Sequence, residues 1–440
     1  MSPSSPFHYR DYRAFWLARL ASTIANTMLV VVIGFHVYEI ARDPAQMNLS
    51  IKAASFWLGM VGLAQFLPLF LLVLIAGYVA DRLDRRLIAR LTLATEMVCA
   101  AALAALVWFD AMTLLPLFAV AVILGICRAF SGPALGSIAP NLVPPEILPG
   151  AIALNSIAWQ VGMVAGPLIG GAVFAVSKSL PYETSAALYA VSFACMMMLR
   201  PISKGNAGDS HPLRAVIEGL AYVRDNKIVL GAISLDLFAV ILGGATAMLP
   251  VYARDILQVG SEGLGALRAA PAAGAALIAL ILTRWPLRRH VGVKMFVCVA
   301  IFGLATMVFG ESRWMWLSLA SLFVLGASDM VSVYVRSSLI QLHTPDAMRG
   351  RVSAVSGLFI SASNELGEFR AGLAGAAFGP VIAVVGGGAL AVLATGLSAW
   401  MFPSLRKADR FVTPDPETLA SAGTKDMPDV EIPAMIAPKG

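Results

Sequence analysis

Long apolar blocks that contain no charged residue are the feature of this chain that most restricts its fold. Four of them are Phe66–Ile75, Ala100–Trp108, Leu114–Ile126 and Val381–Leu397. A helix needs about 20 such residues to cross a bilayer core, where no water is present to satisfy the backbone. The strands of a membrane barrel alternate polar and apolar residues, and these blocks do not. The pattern therefore predicts a helical membrane protein, as does a charged content of 13% against about 25% in a soluble domain.

With their flanking residues, the apolar blocks form twelve predicted spans, six on each side of a polar interruption. The first six are Ala14–Ile40, Ala53–Val79, Leu87–Phe109, Met112–Ser137, Ala151–Val176 and Leu180–Leu199. The last six are Ile228–Tyr252, Gly263–Thr283, Val293–Gly310, Met315–Gln341, Val352–Phe378 and Pro380–Phe402. We therefore expect an all-α membrane protein with twelve transmembrane helices in two pseudo-symmetric six-helix bundles. The predicted boundaries are an N-terminal bundle at 1–200, a cytoplasmic linker at 201–227, a C-terminal bundle at 228–402 and a disordered cytoplasmic tail at 403–440.

Lysine and arginine are distributed unequally between the two sides of the predicted membrane. Segments on the side of the N-terminus carry 20 of these residues, against 5 on the other side. Because basic loops stay in the cytoplasm, we expect both termini there, in a multi-pass protein of the bacterial inner membrane. This topology accounts for the net charge of +6, so nucleic acid is not an expected partner.

The two halves of the chain carry a sparse internal repeat at an offset of 201 residues. The matched pairs are Leu124 with Leu325, Gly125 with Gly326, Ser137 with Ser338, Pro144 with Pro345 and Gly166 with Gly367. Parallel repeats of six helices are one way in which transporters build a central site. Chance matches among abundant small residues are the alternative explanation.

A charged loop joins the second and third spans, in the run Gly77-Tyr-Val-Ala-Asp-Arg-Leu-Asp-Arg-Arg86. It resembles the cytoplasmic loop motif of the major facilitator superfamily, although Asp84 stands where that family usually has glycine. The resemblance implies a cytoplasmic gate in which the aspartate docks at the start of the eleventh span, near Ser353, and holds the outward-open state. The gate residues are Gly77, Asp81, Arg82, Arg85 and Arg86. The glycine would permit a tight exit from the second span. An ordinary basic cytoplasmic loop is the alternative.

Arg128 lies about ten residues from the cytoplasmic end of the fourth span, too deep to reach the membrane surface easily. A charge at that depth usually faces a partner or a wet cavity. Together with Ser131 and Gly132, it resembles the fourth-helix motif of the same superfamily, which implies a role in proton movement. A charge pair that only packs helices together is the alternative.

The fifth span contains the run Gly162-Met-Val-Ala-Gly-Pro-Leu-Ile-Gly-Gly171. Small residues four apart permit close helix packing, and proline bends a helix. The run resembles the antiporter motif of the superfamily, which implies an exporter with a pivot at this place. The pivot residues are Gly162, Gly166, Pro167, Gly170 and Gly171. Helix packing alone is the alternative.

Four carboxylates inside spans are candidates for proton coupling, since burial in an apolar cavity favours the protonated form of an acid. They are Asp236, Asp329, Glu365 and Glu368. Asp329 is the repeat mate of Arg128, so we expect these two as a pair across a central cavity. Glu365 and Glu368 could equally form a local network with Arg370 on one helix.

Two further stretches, Leu242–Leu257 and Ser363–Gly372, resemble the bacterial drug and siderophore exporter branch of the superfamily. The resemblance implies a secondary transporter that exports small amphipathic molecules by proton antiport, by alternating access around a site lined by the first, fourth, seventh and tenth helices. The expected partners are this cargo, protons and the lipid bilayer, and the expected oligomeric state is a monomer.

No catalytic constellation and no P-loop occurs in the chain, so neither an enzyme nor an ATP-driven pump is expected. The four cysteines share no metal-ligand spacing, and we expect no cofactor and no metal site. Two other functions stay open, namely proton-coupled uptake of a small metabolite and a receptor or scaffold that does not transport.

Overall fold

The computed structural model describes residues 5–200, 212–287, 289–409 and 411, and every regular element in those residues is helical. We number the helices that match the predicted spans α1 to α12. The first six are α1 (Arg10–Arg42), α2 (Ile51–Arg82), α3 (Arg85–Trp108), α4 (Leu114–Ile138), α5 (Leu148–Val176) and α6 (Leu180–Met197). The last six are α7 (Lys227–Gly243), α8 (Gly260–Arg284), α9 (Val291–Glu311), α10 (Met315–Leu342), α11 (Asp346–Phe378) and α12 (Pro380–Met401). Each predicted span coincides with a helix, and the predicted fold class is confirmed.

Ten segments of the described chain are long and apolar enough to cross a membrane, with the seventh span counted as Lys227–Ile256. The remaining two helices are α6 and α11. α6 has only 18 residues and an acidic first turn, whereas α11 carries Glu365, Glu368 and Arg370 in its second half. Charges at that depth face a partner or a wet cavity instead of lipid, so this half of α11 is expected to line the interior of the protein.

The seventh predicted span, Ile228–Tyr252, lies within the candidate membrane span Lys227–Ile256, but its helix is interrupted. α7 ends at Gly243, and short helical turns continue the span: Thr246–Met248, Leu249–Val251 and Tyr252–Ile256. Gly244 lies so close to α11 that a Cβ on it would be 3.2 Å from the carbonyl carbon of Gly367. Pro250 has no amide hydrogen with which to continue a helix. Close packing and proline together explain the break.

The helices of each half pack mainly on one another. In the first half, α1 packs on α5 and α6, α2 on α4, and α3 on α4 and α6. In the second half, α8 packs on α10, α9 on α10 and α12, and α7 on α11 and α12. Two seams join the halves, one between α2 and α11 and the other between α5 and α8. A six-helix repeat relates α2 to α8 and α5 to α11, so the two seams are equivalent.

Glycines matched by the repeat make matching contacts. A Cβ on Gly125 of α4 would lie 2.3 Å from the carbonyl oxygen of Gln65 on α2. A Cβ on Gly326 of α10 would lie 1.9 Å from the carbonyl oxygen of Pro271 on α8. Both positions therefore need a residue without a side chain, which gives the sequence repeat a physical cause.

The predicted linker is in part a helix, Pro212–Asp225, which we call the linker helix. It lies against the N-terminal end of α11, where Glu218 forms a 2.7 Å ion pair with Arg351. The hydroxyl of Tyr222 donates a hydrogen bond to the carbonyl of His343 between α10 and α11. The linker helix is therefore fixed to the second half; residues 201–211 lie outside the described residues.

The predicted disorder from residue 403 onward was wrong for the first residues of the tail. A short helix forms at Pro403–Arg406, and Leu405 is completely buried. The amide of Gly292 at the start of α9 donates a 2.9 Å hydrogen bond to the carbonyl of Ala408. These residues are ordered because they satisfy free amides at a helix start; residues 410 and 412–440 lie outside the described residues.

Candidate functional site

A cavity lies at the boundary of the two halves, enclosed by α1, α2, α8, α11 and the broken part of the seventh span. Its wall is largely apolar, and its polar lining consists of Gln65, Thr246, Arg268 and Glu368. Small-molecule sites typically combine an apolar wall with a few polar groups. The helices expected around the central site included α4 and α10; this cavity is lined instead by α2, α8 and α11, beside α1 and the seventh span.

Glu368 is held in this cavity by two donors. Arg268 Nη2 lies 3.3 Å from Glu368 Oε1, and the Thr246 hydroxyl donates to the same oxygen at 3.2 Å. Arg268 Nη1 also donates to the Thr246 carbonyl at 3.2 Å. That carbonyl lies in the interrupted part of the seventh span, where it also accepts the Leu249 amide. The hydrogen bonds among Thr246, Arg268 and Glu368 therefore connect the interrupted seventh span with α8 and α11.

Glu365 lies one turn of α11 before Glu368 and contacts the other half of the molecule. Arg128 Nη1 on α4 donates to Glu365 Oε1 at 2.9 Å, and the side chains are 35% and 10% exposed. Glu96 on α3 is 5% exposed and interacts electrostatically with Arg128 from within the first half. Arg128 thus lies between a carboxylate of its own half and one of the opposite half.

The expected pair of Arg128 with Asp329 is wrong in this structure, because Arg128 binds Glu365 of α11. Asp329 instead lines a small cavity inside the second half, together with Asp236 of α7. Asp236 forms an ion pair with Arg336 of α10. The four candidate carboxylates thus separate into two at the boundary of the halves and two within the second half.

The described contacts do not show the local network on α11 that the sequence left open as an alternative. Glu365 and Glu368 take their partners from α4 and α8, as above. Arg370 packs on α12, where a Cβ on Gly387 would lie 2.9 Å from its Nη2. The charges of α11 therefore connect different helices.

The predicted gate loop lies between α2 and α3. Gly77 does not form the exit from α2, because the helix continues to Arg82 and a Cβ on Gly77 would meet no atom within 4 Å. The Asp81 side chain lies outside the described residues, so its docking near Ser353 stays a prediction. Arg82 and Arg85 are both engaged in contacts.

Asp84, the departure from the family pattern, is the N-cap of α3. Its carboxylate accepts a 2.9 Å hydrogen bond from the Arg86 amide and forms a 2.5 Å ion pair with the Arg86 side chain. The hydrogen bond from the Arg86 side chain lowers the pKa of Asp84. Arg86 also donates to the Leu199 carbonyl at 3.2 Å. Of the predicted gate residues, Arg86 is thus bound within the first half, where it joins α3 to the end of α6.

The predicted pivot residues are all buried on α5. Gly162, Gly166 and Gly170 face α1; a Cβ on Gly166 would lie 1.9 Å from Thr27 Oγ1. Gly171 faces the other half, where a Cβ would lie 2.3 Å from the Ser261 carbonyl oxygen and 2.9 Å from Gly265 Cα. One side of the motif therefore packs the first half, and its end forms the seam with α8.

The opposite seam has the same construction. A Cβ on Gly372 of α11 would lie 2.3 Å from Gly59 Cα on α2. Gly171 and Gly372 are separated by the repeat offset. Each seam is thus a contact of two glycine backbones without side chains in between, as at close helix crossings in membranes.

A charged contact joins α1 to the end of the seventh span, on the side of the molecule away from the linker helix. Arg42 Nη2 lies 3.0 Å from Asp255 Oδ1, and the Tyr38 hydroxyl donates to Asp255 Oδ2. We call Tyr38, Arg42 and Asp255 the outer clasp. The sequence interpretation assigned no role to these residues. The available signal was a charge pair, Arg254 and Asp255, directly after an apolar span.

A protein family matches nearly the whole chain. The family model described as transmembrane secretion effector, in the major facilitator superfamily, matches residues 1–419. The chain belongs to this family. Members of this superfamily are membrane transporters and not enzymes, so the protein is a multi-pass membrane transporter for small molecules.

Two curated relatives are named as enterobactin exporters. The enterobactin exporter EntS of Escherichia coli O157:H7 is 24% identical over 413 residues, which cover 94% of this chain and 96% of that protein. The enterobactin exporter EntS of Shigella boydii serotype 18 is 25% identical over 345 residues, covering 78% and 80%.

Solved structures of other transporters share the fold. A bacterial homologue of the human lysosomal transporter Spinster, in an inward-facing and unoccupied conformation, has a TM-score of 0.68 at 16% identity and covers 93% of this chain and 99% of its own. A D-xylose–proton symporter has a TM-score of 0.68 at 14% identity, with 89% and 98% covered. At these identities the similarity concerns the fold alone. In the described residues, no cluster of three or more His, Cys, Asp or Glu side chains could hold a metal ion.

Proposed function

We propose that this transporter exports a small amphipathic molecule, a siderophore or a drug, by proton antiport through alternating access. The observation that carries the proposal is the Arg128–Glu365 ion pair, which joins the two halves at 2.9 Å with the carboxylate largely buried. The relatives named as enterobactin exporters support the direction and the cargo class, as does the antiporter motif on α5.

Protonation of Glu365 would couple the proton to movement. An ion pair in low dielectric is strong only while both groups are charged, and removing one charge leaves the other buried without compensation. A proton on Glu365 would end its attraction to Arg128, which could then turn to Glu96 in its own half. The halves would thereby lose one bond that holds them together.

The seams and the outer clasp supply the mechanical part of the proposal. Bare glycine contacts at α5–α8 and α2–α11 let rigid halves rock with little side-chain rearrangement. The outer clasp joins the ends of α1 and the seventh span in this conformation. Its release, with closure around Asp81, Arg82 and Arg85 on the opposite side, would expose the central cavity to the outside.

The topology belongs to the same proposal. The N-terminal bundle comprises residues 1–200 and the C-terminal bundle 228–402, joined by a cytoplasmic linker at 201–227. The protein lies in the bacterial inner membrane with both termini on the cytoplasmic side, and the transporter works as a monomer. The basic residues on the side of the termini support this orientation.

The test is accumulation of a labelled siderophore and a panel of fluorescent drugs in an efflux-deficient bacterium. Cells express the wild type, Glu365→Gln, Arg128→Ala or the control Glu262→Gln, which changes an exposed glutamate on α8. We expect lower accumulation of one cargo class with the wild type and the control. We expect at least about a tenfold loss of transport in the two variants, since neither can form the ion pair whose breaking would couple the proton to movement.

An uncoupler should abolish transport by the wild type. Raised accumulation would contradict export and indicate uptake. Unchanged accumulation of every compound, with normal amounts of protein in the membrane, would contradict transport of this cargo class and favour a receptor or scaffold. Full transport by Glu365→Gln would overturn the assigned coupling residue.

A further inference from the structure

A second polar cluster lies inside the second half, apart from the boundary cavity. Asp236 of α7 and Asp329 and Ser332 of α10 line one small cavity, closed on another side by Val299 and Phe302 of α9. Its volume is about 10 Å³, which is space for about one water-sized particle. An organic cargo does not fit there.

The cluster carries one negative charge in excess. Asp236 forms an ion pair with Arg336, and the two residues are 6% and 3% exposed. Asp329, which is half-buried, adds a second carboxylate, and the other residues that line the cavity are neutral. Since a charge without compensation is costly in an apolar core, the balance requires one further positive charge.

Ser332 provides a separate indication that the cavity has an occupant. The side chain is 1% exposed, and its hydroxyl makes no hydrogen bond to any of the described residues. A buried hydroxyl without a partner is destabilising by about 1–3 kcal/mol. Ser332 lies three residues after Asp329 on the same face of α10, so its oxygen belongs with the carboxylates of the cavity.

We propose that this cavity binds one sodium ion through carboxylate oxygens of Asp236 and Asp329 and the hydroxyl of Ser332. Oxygen donors select hard cations over transition metals. A single charge neutralises the cluster, whereas a divalent ion would leave an excess positive charge. A proton on Asp329 would also balance the charge, but it would need neither the cavity nor a third oxygen.

Thermal unfolding of the purified full-length protein tests the proposal. Melting temperatures are measured in sodium, potassium and choline chloride at equal ionic strength and one pH. A ligand that binds only the folded state raises stability with its concentration, so we expect a rise in sodium chloride that saturates. Choline chloride should give no such rise.

Variants locate the site. Asp329→Asn should lose the rise specific to sodium, and Ser332→Ala should need about ten times more sodium for half of the effect, a loss of about 1.4 kcal/mol. Ser337→Ala, which alters an exposed serine of the same helix, should behave as the wild type. If Asp329→Asn cannot be purified, the different sodium responses of Ser332→Ala and Ser337→Ala test whether sodium binds in this cavity.

Three results would overturn the proposal. They are equal melting temperatures of the wild type in sodium and choline, an equal rise in potassium, and an unchanged sodium response in Ser332→Ala. Because no transport is measured, these results are independent of the direction and the cargo proposed above.

Discussion

At the scale of single residues, Asp84 illustrates how one carboxylate serves local structure in a loop that the family pattern marks as a gate. It caps α3 and binds the Arg86 side chain, which in turn holds the end of α6. The sequence pattern identified this residue only as a departure from the family. Its capping role follows from its position directly before the first helical residue.

Replacing Asp84 should therefore affect stability more than transport. We expect Asp84→Ala to lower the free energy of unfolding by about 1 kcal/mol, the usual value of an N-cap. Asp84→Asn, which keeps a capping oxygen but not the charge, should lose less. Chemical denaturation of the two variants and the wild type in detergent measures both effects.

The same variants have a defined pH dependence. The pKa of Asp84 is lower in the folded state, so its stabilisation is complete above the unfolded pKa of about 3.9. It is lost as the pH falls through the folded value. The difference between wild type and Asp84→Asn should be constant from about pH 6 to 8 and shrink in acid. A difference that grows in acid would contradict the assigned ion pair.

At the scale of helices, the contact between α5 and α8 depends on two glycines. A Cβ on Gly171 would lie 2.3 Å from a backbone oxygen of α8, and a backbone cannot move aside as a side chain does. Extra volume in a packed contact costs about 1–3 kcal/mol. The seam therefore tolerates no side chain.

Gly171→Ala should lower both the melting temperature and transport. The matched control is Gly150→Ala on the same helix, where the nearest atom to the new Cβ would be 3.6 Å away. Melting curves and the accumulation assay measure the two variants side by side. Equal behaviour of both variants would contradict the close seam.

At the scale of the whole molecule, the outer clasp connects the ends of the two halves over a large distance in sequence. Tyr38 and Arg42 lie 217 and 213 residues from Asp255. Because the contact joins the halves away from the linker helix, its presence defines the conformation as closed on that side. The clasp is therefore the natural place to shift the balance between conformations.

Asp255→Asn should open the outer side. The neutral side chain cannot pair with Arg42, and the loss of one partner of a hydrogen-bonded charge pair costs about 2–5 kcal/mol. Spin labels at the outer ends of α1 and the seventh span should show a shift from short to long distances. Glu183→Gln is the control, since its 3.0 Å contact with Trp108 stays within the first half. An unchanged distance distribution in Asp255→Asn would contradict the clasp.

The membrane-spanning segments of this protein could be predicted from the sequence alone. The length and apolarity of each block are local properties, and they suffice to predict a membrane-spanning helix wherever lipid surrounds it. The repeat glycines Gly125 and Gly326 were also visible, because close packing restricts the residue type at one position. The break after Gly243 was not predicted, since its causes include the packing of Gly244 on α11, far away in the chain.

The pairing of charged residues could not be predicted, because it depends on how the helices pack. The repeat predicted a pair of Arg128 with Asp329, but Arg128 binds Glu365, 237 residues away in the chain. Asp329 instead lines a cavity together with Asp236. Charges attract over several ångströms in any direction, so a linear pattern shows that a buried charge needs a partner, whereas the packing of helices selects the partner.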